Sequence, residues 1–167
     1  DASDNTLALS VAQYDALGAV TLTAGDTVTL SDTGANIAVL TAGQIGDLAG
    51  NNIDKIDTTD NTLTLTAAQA GALGSVTVAT GDTFTLADTG ANIAALTATQ
   101  IGDLAASNLD VIDATDNTLA LSVAQYQALG TIALTASDTV TLSDTGAHIA
   151  ALDAVAIGGL AAAGIDA

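Results

Sequence analysis

A chain of 167 residues that is 49% hydrophobic can bury a core, and its mean hydropathy of +0.51 excludes the composition of a disordered segment. Nineteen acidic residues against a single base leave a formal net charge of −18, so no nucleic acid partner is expected, because phosphate binding needs a basic surface. Thr, Asp and Asn interrupt every apolar run before the ~20 residues that a spanning helix needs, so no membrane insertion is expected either.

Every acid is Asp, and the sole base is Lys55. Glu favours exposed helix faces, whereas the short Asp side chain bonds nearby backbone N–H groups at caps and turns. The acids therefore read as corner and cap residues. Asp also supplies hard oxygen ligands, which keeps Ca²⁺ as a rival reading.

The phrase "DNTLALS" at 4–10 returns as "DNTLTLT" at 60–66 and as "DNTLALS" at 116–122, so Asp4, Asp60 and Asp116 stand 56 residues apart. The whole chain, 1–167, reads as a single array of three 56-residue repeats at 4–59, 60–115 and 116–167. In the first repeat a strand follows the Asp4 corner. Ser10 and Gln13 then form a capping box, which opens a helix with Val11, Tyr14 and Leu17 on one face and Gly18 past its end. "AVTLTAGDTVTL" (19–30) reads as two short strands meeting at a Gly25–Asp26 corner, and "DTGANIAVL" (32–40) as either a helical turn or a poor strand. Thr41 and Gln44 open a second helix that ends at Asn51 and Asn52, and "IDKIDTTDNTLTL" (53–65) reads as two strands with a corner at Asp57–Asn61.

Later repeats follow the same order, with boxes at Thr66/Gln69, Thr97/Gln100 and Ser122/Gln125. Asp153 can cap the last helix, but Ala156 cannot complete a box. Asp corners recur at Asp4, Asp26, Asp60, Asp82, Asp116 and Asp138. A strand, corner and helix repeated in phase predict an α/β solenoid, each turn covering the apolar face of its neighbour. An all-β parallel β-helix is the alternative, and the capping boxes argue against it.

Chemistry finds few candidates, and no catalytic or cofactor-binding residue is assigned. His148 fills the slot of Asn36 and Asn92, Lys55 that of Val111, and Tyr14 and Tyr126 that of Ala70; Phe84 replaces Val28 and Val140 and reads as core. The acids repeat uniformly, whereas a polysaccharide-cutting carboxylate pair would break the symmetry once, so the chain is not expected to be an enzyme. Candidate Ca²⁺ ligands are the D-x-x-D-N corners Asp1/Asp4, Asp57/Asp60 and Asp113/Asp116, with Asp54 and Asp110 just upstream. The alternative is that these acids satisfy backbone N–H groups at turns. T-x-T triplets at 27–29, 83–85 and 139–141 resemble the rows of ice-binding solenoids, but Ala8 and Ala120 interrupt the adjacent row.

Near-identical tandem units, Asp-only acidity, absent cysteine and richness in Thr, Ala, Gly and Leu resemble the repeat regions of giant secreted bacterial proteins, the large adhesins and RTX-like calcium binders. The glycine-rich RTX nonapeptide is absent; "GDTVTL" and "GDTFTL" carry only a fragment of it. The resemblance implies an extracellular or cell-surface structural spacer, with a calcium-binding module as the alternative. Asp1 is in phase with Asp57 and Ala167 with Lys55, so the chain is expected to be a slice of a longer array whose copies stack head to tail.

Overall fold

The computed structural model describes all residues, 1–167. The first repeat forms β1 (Thr6–Leu9), α1 (Val11–Ala16), β2 (Thr27–Asp32), α2 (Gly34–Ala38), α3 (Ala42–Gly50) and β3 (Lys55–Thr58). The second forms β4 (Thr62–Leu65), α4 (Ala67–Ala70), β5 (Thr77–Val78), β6 (Thr83–Asp88), α5 (Gly90–Ala94), α6 (Ala98–Ala106) and β7 (Val111–Ala114). The third forms β8 (Thr118–Leu121), α7 (Val123–Ala128), β9 (Ala133–Leu134), β10 (Thr139–Leu142), α8 (Gly146–Ala150), α9 (Ala154–Gly159) and a 3-10 turn (Ala161–Ala163).

All five predicted capping boxes form: the Ser or Thr side chain accepts the Gln amide N–H, and the Gln side chain accepts the cap N–H. Asp153 caps α9 alone. The undecided 32–40 segment is a helix, α2. Its cap Thr33 accepts from Asn36 N, and the second half of the box falls to Asp32, whose Oδ1 accepts the Thr33 N–H at 2.8 Å. Asn is too short to reach back as Gln does, which is why no box signature marks this helix. At the corners, Asn5, Asn61 and Asn117 take left-handed backbone with φ of 57°, 56° and 57°. Asn tolerates that conformation better than other residues with a Cβ.

Every strand pair is parallel. Three sheets form, β1-β2-β3-β5, β4-β6-β7-β9 and β10-β8, and none closes on itself. The corner between β3 and β4 carries the chain from the first sheet to the second. The first sheet therefore takes β3 from the end of one repeat and β5 from the next, so neighbouring repeats share a sheet. Short helices rule out the all-β alternative. The architecture is α/β with short parallel strands and short helices, compatible with a repeat solenoid.

One expected strand is missing. Residues 20–23 form none, whereas their counterparts give β5 and β9, which pair with β3 and β7. The first repeat has no preceding strand for them to bond. Strand formation here depends on the neighbouring repeat. One apolar core runs through all three repeats, from Val11 through Ile56, Phe84 and Ile112 to Ile165.

Candidate functional site

Eleven of the nineteen aspartates reach into the neighbouring layer of chain. Asp54, Asp110 and Asp166 each make a two-bond clip. The Asp110 carboxylate Oδ2 accepts the Phe84 N–H at 2.8 Å, and the Asp110 N–H donates to the Phe84 carbonyl at 3.0 Å. Asp54 holds Val28 in the same way at 2.7 and 2.9 Å, and Asp166 holds Val140 at 2.8 and 2.8 Å. The carboxylate supplies the acceptor that a longer strand would otherwise provide.

Three further series do similar work. Asp26, Asp82 and Asp138 are buried, and each accepts an N–H 24 residues upstream, from Ala2, Thr58 and Ala114. Asp32, Asp88 and Asp144 accept N–H groups 21 residues upstream, from Val11, Ala67 and Val123. Asp60 and Asp116 accept the N–H of Gly34 and Gly90, both at 2.9 Å. Two of the five box glutamines serve twice: Gln69 Nε2 donates to the Ala38 and Leu40 carbonyls, and Gln125 Nε2 to those of Ala94 and Leu96. Left-handed Asn52 and Asn108 donate to the carbonyls of Leu22 and Val78. These groups satisfy backbone that would otherwise lie unpaired between layers. The expected role of Asp as an N–H acceptor holds, but most of the partners lie one layer away rather than within the corner.

Among the candidate calcium ligands, Asp54, Asp60, Asp110 and Asp116 spend one oxygen each on these bonds. Asp57 and Asp113 are half-buried on β3 and β7, paired in register with Ser31 and Ala87, so no carboxylate faces another across the sheet. Asp4 accepts only the Thr6 N–H of its own corner, at 3.3 Å, and Asp1 is exposed. No three acidic or histidine side chains gather closely enough to hold a metal ion.

The T-x-T rows align as expected. Thr62 and Thr64 lie beside Thr83 and Thr85, but Ala8 and Ala120 face Thr29 and Thr141. His148 Nδ1 sits 2.6 Å from Asp144 Oδ1, taking the place of Asn36 on Asp32 and Asn92 on Asp88. Phe84 is fully buried, as read. Tyr14 shares a hydrogen bond with Asn51 at 2.7 Å.

These bonds perturb three carboxyls. The Asn36 side-chain amide, then the Thr33 and Val11 N–H groups, hold Asp32 below its ordinary value against some burial. Burial alone would raise Asp88, but bonds from Asn92, Thr89 and Ala67 outweigh it and the net shift is downward. His148 and then the Thr145 N–H lower Asp144. Asp138 and Asp166 also line a cleft of about 750 Å³ in the third repeat, beside Tyr126, Leu134 and Gly164. The repeats differ there: Gly164 stands where Asn108 bonds Val78, so that tie is lost.

The cross-layer role was read from the sequence for no aspartate, and Asp32, Asp88, Asp144 and Asp166 were not singled out there at all. The available signal was phase, since Asp stands at 26, 32 and 54 and again 56 and 112 residues later. The chain matches no family model, no curated protein and no solved structure.

Proposed function

We propose that the chain is a structural spacer: a segment of an α/β solenoid in a large extracellular or surface protein of the adhesin type, which holds a distal binding domain at a distance. One observation carries the reading. The same Asp and Gln bonds join layer to layer in successive repeats, so the distinctive polar groups are committed to continuing the stack. Each repeat covers the apolar face of the last, and length then grows with repeat number. Two copies of the sequence joined through one isoleucine, which restores the phase, should give a maximum dimension in small-angle X-ray scattering about twice the parent's, in the additive regime of repeat proteins. A compact particle of little greater length would refute the spacer reading.

Calcium binding is the second reading, favoured by acids with oxygen to spare: Asp57 and Asp113, on β3 and β7, make no side-chain hydrogen bond, and the corner acids Asp60 and Asp116 use Oδ1 alone. Calcium bound to the native corners raises the melting temperature beyond the effect of NaCl at matched ionic strength. Equal responses would remove calcium from the account.

A further inference from the structure

Equivalent residues meet different surroundings in the three repeats. Gly34 and Gly90 are buried, and a Cβ on them would lie 1.9 Å from the Thr62 carbonyl oxygen and 1.7 Å from that of Thr118. Gly146 occupies the same D-T-G-A phrase with nothing within 4 Å. Its glycine answers to no neighbour within this chain. Beside it, Ile157 is 51% exposed where Ile45 and Ile101 are 0% exposed, and α8 buries no residue where α2 and α5 bury Ile37 and Ile93.

The opposite end mirrors this. Val20 is 64% exposed where Val76 is 0% and Ile132 6%. Leu7 and Leu9 are half-buried, while Leu63, Leu65, Leu119 and Leu121 are buried. Polar groups are idle in matching positions. Asp4 has no cross-layer N–H to accept, unlike Asp60 and Asp116. Gln13 completes its capping box but donates to no neighbouring carbonyl, unlike Gln69 and Gln125.

We propose that these two faces recognise each other, so that the end bearing Gly146 binds the β1 end of a second copy of this chain. Asp4 of the incoming copy accepts the Gly146 N–H, as Asp116 accepts that of Gly90. Its Gln13 donates to the carbonyls of Ala150 and Leu152, as Gln125 does to those of Ala94 and Leu96, and its Leu7 packs over Ile149. The interface repeats the one between successive repeats within the chain, and it rests on the stacked-array reading above. The contact is heterologous and does not close, so it builds open chains of copies rather than dimers. Like charge opposes it: each copy carries −18, and molar salt shortens the screening length from ~8 Å to ~3 Å. One buried position stays empty at the junction, the counterpart of fully buried Ile56 and Ile112, which falls between Ala167 of one copy and Asp1 of the next.

Sedimentation velocity across a wide concentration range, in low and in molar NaCl, tests the proposal. Mass should rise with concentration and salt, past the dimer. Gly146→Ala should abolish the rise without lowering the unfolding midpoint, which stays or rises slightly, because its Cβ meets nothing in the single copy and alanine favours the helix. One isoleucine appended after Ala167 should lower the concentration for half-association about ten- to a hundredfold, the factor expected for burying its side chain. Strict monomers of both the parent and the extended chain at every salt would overturn the proposal, and so would a Gly146→Ala chain that associates like the parent. The spacer reading stands or falls separately, on the length of the covalently joined chain.

Discussion

Asp110→Ala deletes one half of a clip and leaves the other. The lost bond is a charged carboxylate on the N–H of a fully buried residue, Phe84, at 2.8 Å, while the Asp110 N–H to Phe84 carbonyl bond persists. Hydrogen bonds to charged groups contribute about 1.5–3 kcal/mol, and a buried N–H left unpaired costs about 1–3 kcal/mol. A net loss of about 2 kcal/mol is expected, or about 4–8 °C in melting temperature for a chain of this size. Removing one of the 19 carboxylates also relieves self-repulsion, which acts in the opposite direction. Asp103→Ala isolates that contribution, since Asp103 is exposed on α6 and makes no clip; its stability should be unchanged or slightly raised. Asp110→Asn keeps an acceptor oxygen and should fall between the two. Urea unfolding followed by circular dichroism measures all three. If Asp110→Ala proves as stable as Asp103→Ala, the clips do not hold the layers together.

Gln69→Ala and Gln44→Ala both break a capping box, but only Gln69 also ties down the Ala38 and Leu40 carbonyls. Gln69→Ala should therefore be the less stable by about 1–2 kcal/mol in urea unfolding, the cost of two abandoned carbonyls. For pH, the folded chain holds the Asp32, Asp88 and Asp144 carboxyls below their ordinary value, so the unfolded chain binds more protons between the folded and the ordinary values. Their contribution is complete above the ordinary carboxyl value and is lost as pH falls through the lower folded values. Asp88→Asn should thus be less stable than the parent at neutral pH, and the gap should close on acidification. A gap that widens would contradict the assignment.

Local features were legible in the sequence because their partners lie three or four residues away. Ser10 with Gln13 and Thr97 with Gln100 declare their helices, and Gly18, Gly74 and Gly130 past the α1, α4 and α7 ends adopt the positive φ expected there. Features that depend on a neighbouring layer were not legible. The 20–23 segment has the alternation of a strand yet forms none without a partner, and α2 hides because Asp32 rather than residue 36 completes its cap. The cross-layer aspartate bonds span 21 to 26 residues, too far for any local pattern. Only the repeated phase of Asp, together with the absence of Glu, hinted that these side chains address fixed partners.

Amide hydrogen exchange at Gly34, Gly90 and Gly146, in dilute low-salt solution that keeps the copies apart, tests the central claim most directly. The three glycines follow the same D-T dipeptide and open equivalent helices, and they differ only in whether a further layer lies against them. The account predicts that Gly34 and Gly90, bonded to Asp60 and Asp116, are protected and exchange only through larger opening, while Gly146 exchanges near its unprotected rate. Equal exchange at all three positions would contradict it.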